Sequence, residues 1–355
     1  MRRRDFMAAV STILAAAAAQ PARAQNKTKI KAAQIGTAHA HASGKMATMR
    51  KYSDDYEIVG FAEPDKNLRI RAAIHPTYRD LKWMSVDDLL ATPGLQVVAV
   101  ETQVRDLVPT AHKCIAAGVS IHLDKPAGES LEEFKKLLSA ATAKKLIVQM
   151  GYMLRYNPAM QLTYKLAKEG WLGELFEANA TMSKTISSAS ERKQLAQYPG
   201  GTMFELGCHV IDSLVHVLGQ PQKVHAFGRK MKPKQDGLVD NQLAVLEYEK
   251  ATATVRSAMV EVSGEKRRQF VLCGDQGTID IRPLEPAKML LALSKARDPY
   301  KSGYQEIELP KSLGRYDGEF IDLAKILRGE KQPDFTPEHD LAVHETILRA
   351  SGVMV

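Results

Sequence analysis

One segment of the sequence, from Gly200 to Gly219, carries three side chains that could take part in proton transfer. Glu205, His209 and Asp212 lie four and three residues apart, so a helix would place them on one face. A histidine beside carboxylates can act as a general base near neutral pH. The same spacing also fits an ordinary hydrogen-bonded histidine on an amphipathic helix. A metal site is a third alternative, because all three side chains are metal ligands, but we expect none.

A second candidate for a chemical role is the lysine that directly follows the strand-like run SIHLD. Asp124, Lys125 and Pro126 stand in a row there, and proline fixes its own φ next to the lysine. A lysine held in this way beside a nicotinamide ring could bind a substrate hydroxyl and stabilise the oxyanion that develops on it. The alternative is a solvated lysine without a chemical role.

A candidate nucleotide loop, GTAHAHASG, begins at Gly36, and Glu63 ends a strand-like run 27 residues later. An acid there can accept hydrogen bonds from the ribose hydroxyls of NAD and would repel the 2′-phosphate of NADP. Glu63 could equally be a surface acid that opens a turn. Ala38 and His41 replace the second and third glycines of a dinucleotide loop, yet the following helix could still present N–H groups to a pyrophosphate. We expect His39 and His41 to lie in the loop or face the cofactor, without a third metal ligand.

The first half of the chain alternates short apolar runs with helical segments. The strand-like runs cover residues 29–35, 56–62, 97–102, 120–124 and 146–152. Ser85 and Ser130 each begin a capping box, and Gly118 follows a helical segment. Apolar strands that alternate with helices predict a parallel sheet covered on both faces. Residues 27–152 are therefore expected to form a Rossmann-like α/β domain, with its ligand site beyond the carboxyl ends of the strands.

The second half, residues 153–355, has a different rhythm. After the helical segment near residues 200–219, strands follow one another without helices between them, and QLAVLEYEKATATV is typical of a hairpin around Glu249 and Lys250. This pattern predicts an α+β domain with a large, mostly antiparallel sheet covered by helices on one face. The other face would be open, and we expect it to support a homodimer or homotetramer.

Residues 1–24 are typical of an export signal. Arginines at positions 2–4 precede an apolar, alanine-rich stretch, and Ala22-Arg23-Ala24 matches a small-x-small cleavage site. The apolar stretch is too short to span a membrane. The RRDFM segment resembles the twin-arginine signal, so we expect cleavage after Ala24 and a bacterial periplasmic location.

Composition and charge exclude some classes of partner. The chain has a formal charge of +8, which becomes +5 without the four arginines and one aspartate of residues 1–24. No basic block or basic-aromatic stripe is present, so nucleic acid is not expected as a partner. The positive excess is compatible with a mild preference for anionic substrates. The three cysteines, Cys114, Cys208 and Cys273, predict buried thiols rather than a disulfide framework, although a single bridge is an alternative.

From Lys29 to its C-terminus, the chain resembles the Gfo/Idh/MocA oxidoreductase family. Three motifs carry this resemblance: an acid-Lys-Pro triplet at 124–126, a G-x-x-x-R-Y-N-P segment at 151–158, and the glycine-acid-histidine helix at 200–212. The resemblance implies an N-terminal Rossmann domain that binds NAD or NADP and a C-terminal sheet that supports dimers or tetramers. It also implies a sugar or polyol-like substrate held between the two domains.

The resemblance further implies roles for individual residues. Lys125 would polarise the reacting hydroxyl and His209 would exchange its proton, while hydride passes between carbon and nicotinamide C4. The implied catalytic residues are Lys125, His209 and Glu205. The implied cofactor-binding residues are Gly36, Thr37, Ala38, His39, Glu63, Thr102, Asp124, Lys125 and Arg155. The implied substrate-binding residues are Lys125, Tyr152, Glu205, His209 and Asp212.

Two departures from the family pattern keep other functions open. Glu205 stands where the family usually has aspartate, and the segment from Thr102 to Asp106 lacks the family's usual asparagine and histidine. The first hypothesis is an oxidoreductase with NAD or NADP, NAD being favoured by Glu63. The cofactor would be tightly bound, because the periplasm has no nicotinamide pool. The second is a redox-neutral enzyme that cleaves glycosides through transient oxidation by bound NAD. The third is a cofactor-free sugar-binding protein.

Overall fold

The computed structural model describes residues 28–354, and the first half of this part is built on a five-stranded parallel sheet. The strand order is β2-β1-β3-β4-β5, and every neighbouring pair is parallel. The strands are β1 (Ile30–Ile35), β2 (Tyr56–Ala62), β3 (Val97–Val100), β4 (Ser120–Leu123) and β5 (Val148–Met150). The predicted Rossmann-like fold of this half is confirmed.

Five helices follow these strands in the first half. They are α1 (Ala42–Lys51), α2 (Lys66–Ile74), α3 (Val86–Leu90), α4 (Val104–Ala116) and α5 (Leu131–Ala143). Both predicted N-cap serines are confirmed, because Ser85 accepts a hydrogen bond from the Asp88 N–H and Ser130 from the Glu133 N–H. Gly118 follows α4 with φ at +80°, which is the conformation expected after a helix.

Strands β3 and β5 are shorter than the sequence predicts. All four residues of β3 are buried, as expected for a strand covered on both faces. The chain leaves the sheet after Val100 and after Met150, so Glu101, Thr102 and Gly151 lie in the loops beyond its carboxyl edge. This edge is where open parallel sheets bind their ligands.

The second half is built on an eight-stranded sheet with the order β13-β12-β11-β10-β6-β9-β8-β7. Its strands are β6 (Leu175–Thr181), β7 (Lys223–Arg229), β8 (Asn241–Glu247), β9 (Thr252–Ala258), β10 (Gln269–Gly274), β11 (Gly277–Leu284), β12 (Ala287–Leu293) and β13 (Gly303–Ile307). Only β6 and β9 pair in parallel; the other pairs are antiparallel. The predicted hairpin joins β8 to β9. The predicted mostly antiparallel sheet is confirmed.

The described part of the second half contains five α-helices, and the first, third and fifth of them pack against this sheet. They are α6 (Pro158–Lys168), α7 (Ala189–Leu195), α8 (Cys208–Leu218), α9 (Asp317–Leu327) and α10 (Pro337–Ala350). Along β8, Ala244 and Leu246 are buried, whereas Leu243 and Val245 are partly exposed. This alternation is what a sheet shows when only one face is covered.

Helix α9 returns to the first sheet, although it lies in the second half of the sequence. The Tyr56 hydroxyl of β2 donates a hydrogen bond to the Phe320 carbonyl over 2.6 Å, and Phe320 is buried in the same apolar cluster as Ile30. The segment before α9 passes next to the loop that follows β1, because the Tyr316 ring centre lies 5.7 Å from that of His41.

The predicted export signal, residues 1–24, lies outside the described residues. Within residues 28–354, none of the helices has the length and apolar character needed to cross a membrane.

Candidate functional site

The loop between β1 and α1 lies very close to the loop that follows β3. Gly36 has φ at +89°, and a Cβ on it would come within 2.6 Å of the Thr102 backbone nitrogen. Glycine is therefore required at this position, both for its backbone conformation and for the close approach.

The carboxylate of Glu63 is fixed at the end of β2 by this loop. It accepts hydrogen bonds from the Thr37 N–H over 2.6 Å, from the Thr37 hydroxyl over 2.7 Å and from the Asp65 N–H over 2.9 Å. Glu63 lines a cavity of about 360 Å³ whose other walls include Ala38, Leu68, Thr102 and Asp106. Three predicted cofactor residues, Ala38, Glu63 and Thr102, therefore meet at one cavity.

This cavity fits the adenosine half of a dinucleotide. It lies beyond the carboxyl ends of β1, β2 and β3, which is where open parallel sheets bind such ligands. An acid at the end of β2 can accept hydrogen bonds from ribose hydroxyls, and helix α1 begins at Ala42 beside the same loop. Ala38 lines the cavity without closing it, so the missing glycine leaves room for a ligand.

A buried ion cluster lies under the crevice. Lys45 of α1 points its ammonium nitrogen to within 3.3 Å of Glu101 Oε1 and 3.2 Å of Asp124 Oδ2, and all three side chains are fully buried. A Cβ on Gly151 would lie 2.5 Å from the same nitrogen, so this glycine makes room for the ammonium. Burial alone would lower the pKa of Lys45, but the negative charges of Asp124 and Glu101 outweigh this effect. The pKa therefore lies above its ordinary value, and Lys45 is charged.

The two carboxyl groups of the cluster respond differently to burial. Burial and the negative charge of Asp124 raise the pKa of Glu101 well above its ordinary value. Burial also acts to raise the pKa of Asp124, but His39, Lys45 and His41 together hold it well below its usual range. Asp124 is thus the ionised member and the counter-ion of Lys45.

His39 and His41 both contact Asp124, which corrects the expectation that no third ligand-type group accompanies them. The Nδ1 atoms of His39 and His41 lie 2.9 Å and 3.1 Å from Asp124 Oδ2. The loop after β1 and the end of β4 meet at the same edge of the sheet, which spacing along the sequence does not reveal. The three groups are close enough to share a metal ion, but the Lys45 ammonium already lies 3.2 Å from the same oxygen.

Lys125 is buried at the end of β4 and reaches the segment that precedes α8. Its ammonium donates a hydrogen bond to the Glu205 carbonyl oxygen over 2.6 Å and lies 3.5 Å from Glu205 Oε1. Asp124 Oδ1 accepts a hydrogen bond from the Lys125 N–H over 2.7 Å. The structure therefore brings the predicted catalytic residues Lys125 and Glu205 together.

The helix predicted around residues 200–219 contains a π-helical turn. Residues Met203–Gly207 form this turn, and α8 begins at Cys208. A π turn interrupts the regular hydrogen bonding of a helix and is frequent at functional sites. Here the Glu205 carbonyl in the π turn accepts a hydrogen bond from the Lys125 ammonium.

His209 lies on α8 with only 3% of its surface exposed. Its Nδ1 has no hydrogen-bond partner within residues 28–354, and its ring centre lies 6.1 Å from that of Tyr152. Burial and the positive charge of Lys125 hold the pKa of His209 well below its ordinary value. His209 is therefore a neutral imidazole whose buried Nδ1 has no hydrogen-bond partner among the described residues.

Arg155 and Asp212 form a separate buried ion cluster. Arg155 Nη2 lies 2.6 Å from Asp212 Oδ1 and 2.5 Å from Asp340 Oδ1, and His339 Nε2 lies 3.2 Å from Asp212. This cluster joins the turn before α6 to α8 and α10. The structure thus pairs a predicted cofactor residue with a predicted substrate residue, rather than bringing either into contact with Lys125 or Glu205.

Sequence reasoning missed three residues that lie beside the site. Lys184 Nζ lies 3.7 Å from Glu205 Oε2, and the Tyr316 ring centre lies 5.7 Å from that of His41. Lys45 is the third. Lys184 lies three residues after the end of β6, and Lys45 lies on α1, four residues after His41. These two positions, after a strand and on the helix that follows the nucleotide loop, could have indicated both lysines from the sequence. Nothing in the sequence near Tyr316 indicated its contact.

Two family models match consecutive parts of the chain. Residues 30–152 match the family model "Oxidoreductase family, NAD-binding Rossmann fold", and residues 160–280 match "GFO/IDH/MocA C-terminal domain". The trans-1,2-dihydrobenzene-1,2-diol dehydrogenase of Sus scrofa is 26% identical over 53% of this chain and 58% of its own length. The uncharacterized oxidoreductase YhhX of Escherichia coli is 25% identical over 61% of this chain and 60% of its own. The chain thus spans little more than half the length of these relatives.

Solved structures show the same fold over nearly the whole chain. UDP-N-acetylglucosamine 3-dehydrogenase GnnA from Acidithiobacillus ferrooxidans has a TM-score of 0.75 at 16% identity, covering 92% of this chain and 98% of its own. A putative NADPH-dependent oxidoreductase from Desulfitobacterium hafniense has a TM-score of 0.76 at 17% identity, covering 92% and 95%. At such identities, the likeness concerns the fold.

Replacing Lys45 with methionine should destabilise the protein strongly. The substitution keeps the length of the side chain but leaves the Asp124 carboxylate buried without its cation, which typically costs about 3 kcal/mol or more. Urea unfolding monitored by circular dichroism measures the loss. The double variant Lys45→Met/Asp124→Asn, which removes both charges, should recover part of it.

The control for this prediction is Lys136→Met, because the Lys136–Glu133 pair is exposed on both sides. Its effect should stay within about 0.5 kcal/mol. Equal effects of the Lys45 and Lys136 substitutions would show that the buried cluster is not stabilising.

Proposed function

Because the chain belongs to the Gfo/Idh/MocA oxidoreductase family, we propose that it transfers hydride between a tightly bound NAD and a sugar or polyol-like alcohol. One observation carries the proposal: the buried ammonium of Lys125 and the neutral His209, whose Nδ1 has no partner within residues 28–354, lie beyond an NAD-binding sheet. The dehydrogenases among the relatives and neighbouring structures support an alcohol as the substrate.

In this proposal, Lys125 binds the oxygen of the reacting hydroxyl and stabilises negative charge as it develops there. His209 takes the hydroxyl proton, and it can do so because its imidazole is neutral. Bound NAD would supply the acceptor for the hydride that leaves the hydroxyl-bearing carbon. Glu205 keeps the ammonium of Lys125 in place through its carbonyl and carboxylate.

The choice of NAD rests on the acids at the end of β2. Glu63 lies at the rim of the adenosine cavity, and Asp65 follows two residues later. Both carboxylates would repel a 2′-phosphate at this point. His39, Thr37 and Asp124 belong to the loops around the same crevice and are proposed to contact the nucleotide.

Two further proposals concern location and assembly. The twin-arginine-like pattern of residues 1–24 supports export to the periplasm, where a bound cofactor would have to be recycled within the protein. The open face of the eight-stranded sheet supports assembly into a homodimer or homotetramer.

The protein as purified should release NAD when it is denatured. The expected result is about one nucleotide per chain, identified by absorbance and mass, with added NAD binding more tightly than added NADP. Incubation with sugars then separates two reactions: accumulation of an oxidised sugar supports hydride transfer to a second acceptor, whereas glycoside cleavage without net redox change supports the redox-neutral alternative. A protein that neither contains nor binds nucleotide would contradict both.

Substituting either reacting side chain should abolish turnover without unfolding the protein. Lys125→Met removes the group that stabilises the oxyanion, and His209→Asn removes the base, so each should lower kcat by at least about 100-fold. Retained NAD content and an unchanged unfolding midpoint would place the loss in the reaction itself. Activity close to that of the unsubstituted protein in either variant would contradict the assigned role.

The pKa of His209 should lie well below the ordinary histidine value of about 6.5. Because His209 acts as a base, kcat/KM should fall only when the pH drops below this lowered pKa and the imidazole takes up a proton. NMR titration of labelled histidines, with His209→Asn to assign the signal, measures the pKa directly. Lys125→Met should shift it upward, since a neighbouring positive charge is lost, whereas Lys136→Met should leave it unchanged.

A further inference from the structure

Positive charge exceeds accessible negative charge around the reacting groups. Lys125 and Lys184 both approach the Glu205 carboxylate, at 3.5 Å and 3.7 Å. Asp124, the other ionised acid nearby, is fully buried and already paired with Lys45. One partly exposed carboxylate therefore faces two ammonium groups.

Lys184 is incompletely satisfied by this arrangement. Its ammonium lies beyond hydrogen-bonding distance of Glu205 and donates no hydrogen bond within the described part of the chain, although only 23% of its side chain is exposed. Glu205 Oε2 likewise has no hydrogen-bond partner among residues 28–354. Within the described residues, the Lys184 ammonium therefore has only the Glu205 carboxylate, which it shares with Lys125, as an ion-pair partner, and an anionic ligand would supply a closer acceptor.

Arg315, in the segment just before α9, is a third cation near the crevice. It precedes Tyr316, whose ring packs near His41 and next to Gly44 at the start of α1. Its positive charge is close enough to contribute to the low pKa of His209. Arg315 is thus adjacent in sequence to a side chain that packs near the nucleotide loop, whose His41 contacts Asp124 next to Lys125.

The charge of Arg315 is also poorly neutralised. Its guanidinium lies 3.5 Å from Glu285, which Arg268 binds more closely at 3.1 Å, and 47% of the Arg315 side chain is exposed. The planar guanidinium group can bind a carboxylate or phosphate through two parallel hydrogen bonds. An exposed arginine beside a buried reaction centre is thus suited to bind an anionic part of a substrate.

From these contacts we propose that the substrate carries an anionic group, a carboxylate or a phosphate, which Lys184 and Arg315 bind while its hydroxyl lies at Lys125 and His209. The inference rests on the proposed function and specifies its substrate class as acidic sugars. A neutral sugar would offer the Lys184 ammonium no charged acceptor beyond Glu205, so the acidic group adds both affinity and orientation.

The test compares an acid with its neutral counterpart on the NAD-loaded protein. Calorimetry with glucuronate and glucuronamide measures the contribution of the carboxylate, and glucose 6-phosphate against glucose measures that of a phosphate. The charged member of at least one pair should bind about tenfold or more tightly, as expected for a charge-assisted hydrogen bond. The pair with the larger difference identifies the anionic group.

Substitutions locate the binding to the two side chains. Lys184→Met and Arg315→Met should each remove most of the preference for the charged member, while affinity for the neutral member changes little. The matched controls are Lys168→Met and Arg229→Met, both exposed and on other elements, which should keep the preference. Equal affinities within both pairs, binding of neither acid, or an unchanged preference in both variants would overturn the inference.

Failure of this inference is distinguishable from failure of the proposed function. Hydride transfer from neutral sugars, with bound NAD and no preference for acids, would overturn the inference alone. Absence of nucleotide from a protein that prefers acids through Lys184 and Arg315 would overturn the oxidoreductase proposal and leave the anion site standing.

Discussion

The site depends on one buried ion pair, that between Lys45 and Asp124. A parallel sheet covered on both faces leaves little water at its interior, so a charge placed there must be paired. The Asp124 carboxylate meets this requirement by binding the Lys45 ammonium, the two loop histidines and the Lys125 N–H. Glu101 adds a second carboxyl group, whose pKa burial raises so that only one of the two acids is readily ionised. Gly151 provides the space that the ammonium fills.

The second half of the molecule completes the site through a second ion cluster. Arg155 binds Asp212 of α8 and Asp340 of α10, and this fixes α8 against the turn that leaves the parallel sheet. Once α8 is fixed, the π turn before it presents the Glu205 carbonyl to Lys125, and His209 follows one turn later. The two ion clusters therefore have different tasks. The cluster around Asp124 holds the backbone of Lys125, and the cluster around Arg155 positions α8, which carries His209 and follows the turn that contains Glu205.

Local patterns in the sequence predicted the elements but not the partners of the buried charges. The strands of the first sheet, both capping serines and the hairpin between β8 and β9 follow from signals a few residues long, and all are present. The contact of His39 with Asp124 joins residues 85 positions apart, and that of Arg155 with Asp340 joins residues 185 apart. Such contacts arise from strand order and helix packing, for which no short-range pattern exists. The π turn was also missed, because its sequence has the periodicity of an ordinary helix.

The unusual nucleotide loop is best understood through the same ion pair. In a glycine-rich loop, only the backbone can approach the ligand, because glycine has no side chain. Here His39 and His41 extend from the loop to the Asp124 carboxylate, and Asp124 binds the backbone of Lys125. Burial lowers the pKa of His41 to about 4, so at neutral pH this contact is a hydrogen bond from a neutral ring. A ligand that moves the loop would therefore act on Asp124, and through it on the backbone of Lys125. The two histidines thus link this loop to the end of β4, which glycines at the same positions could not do.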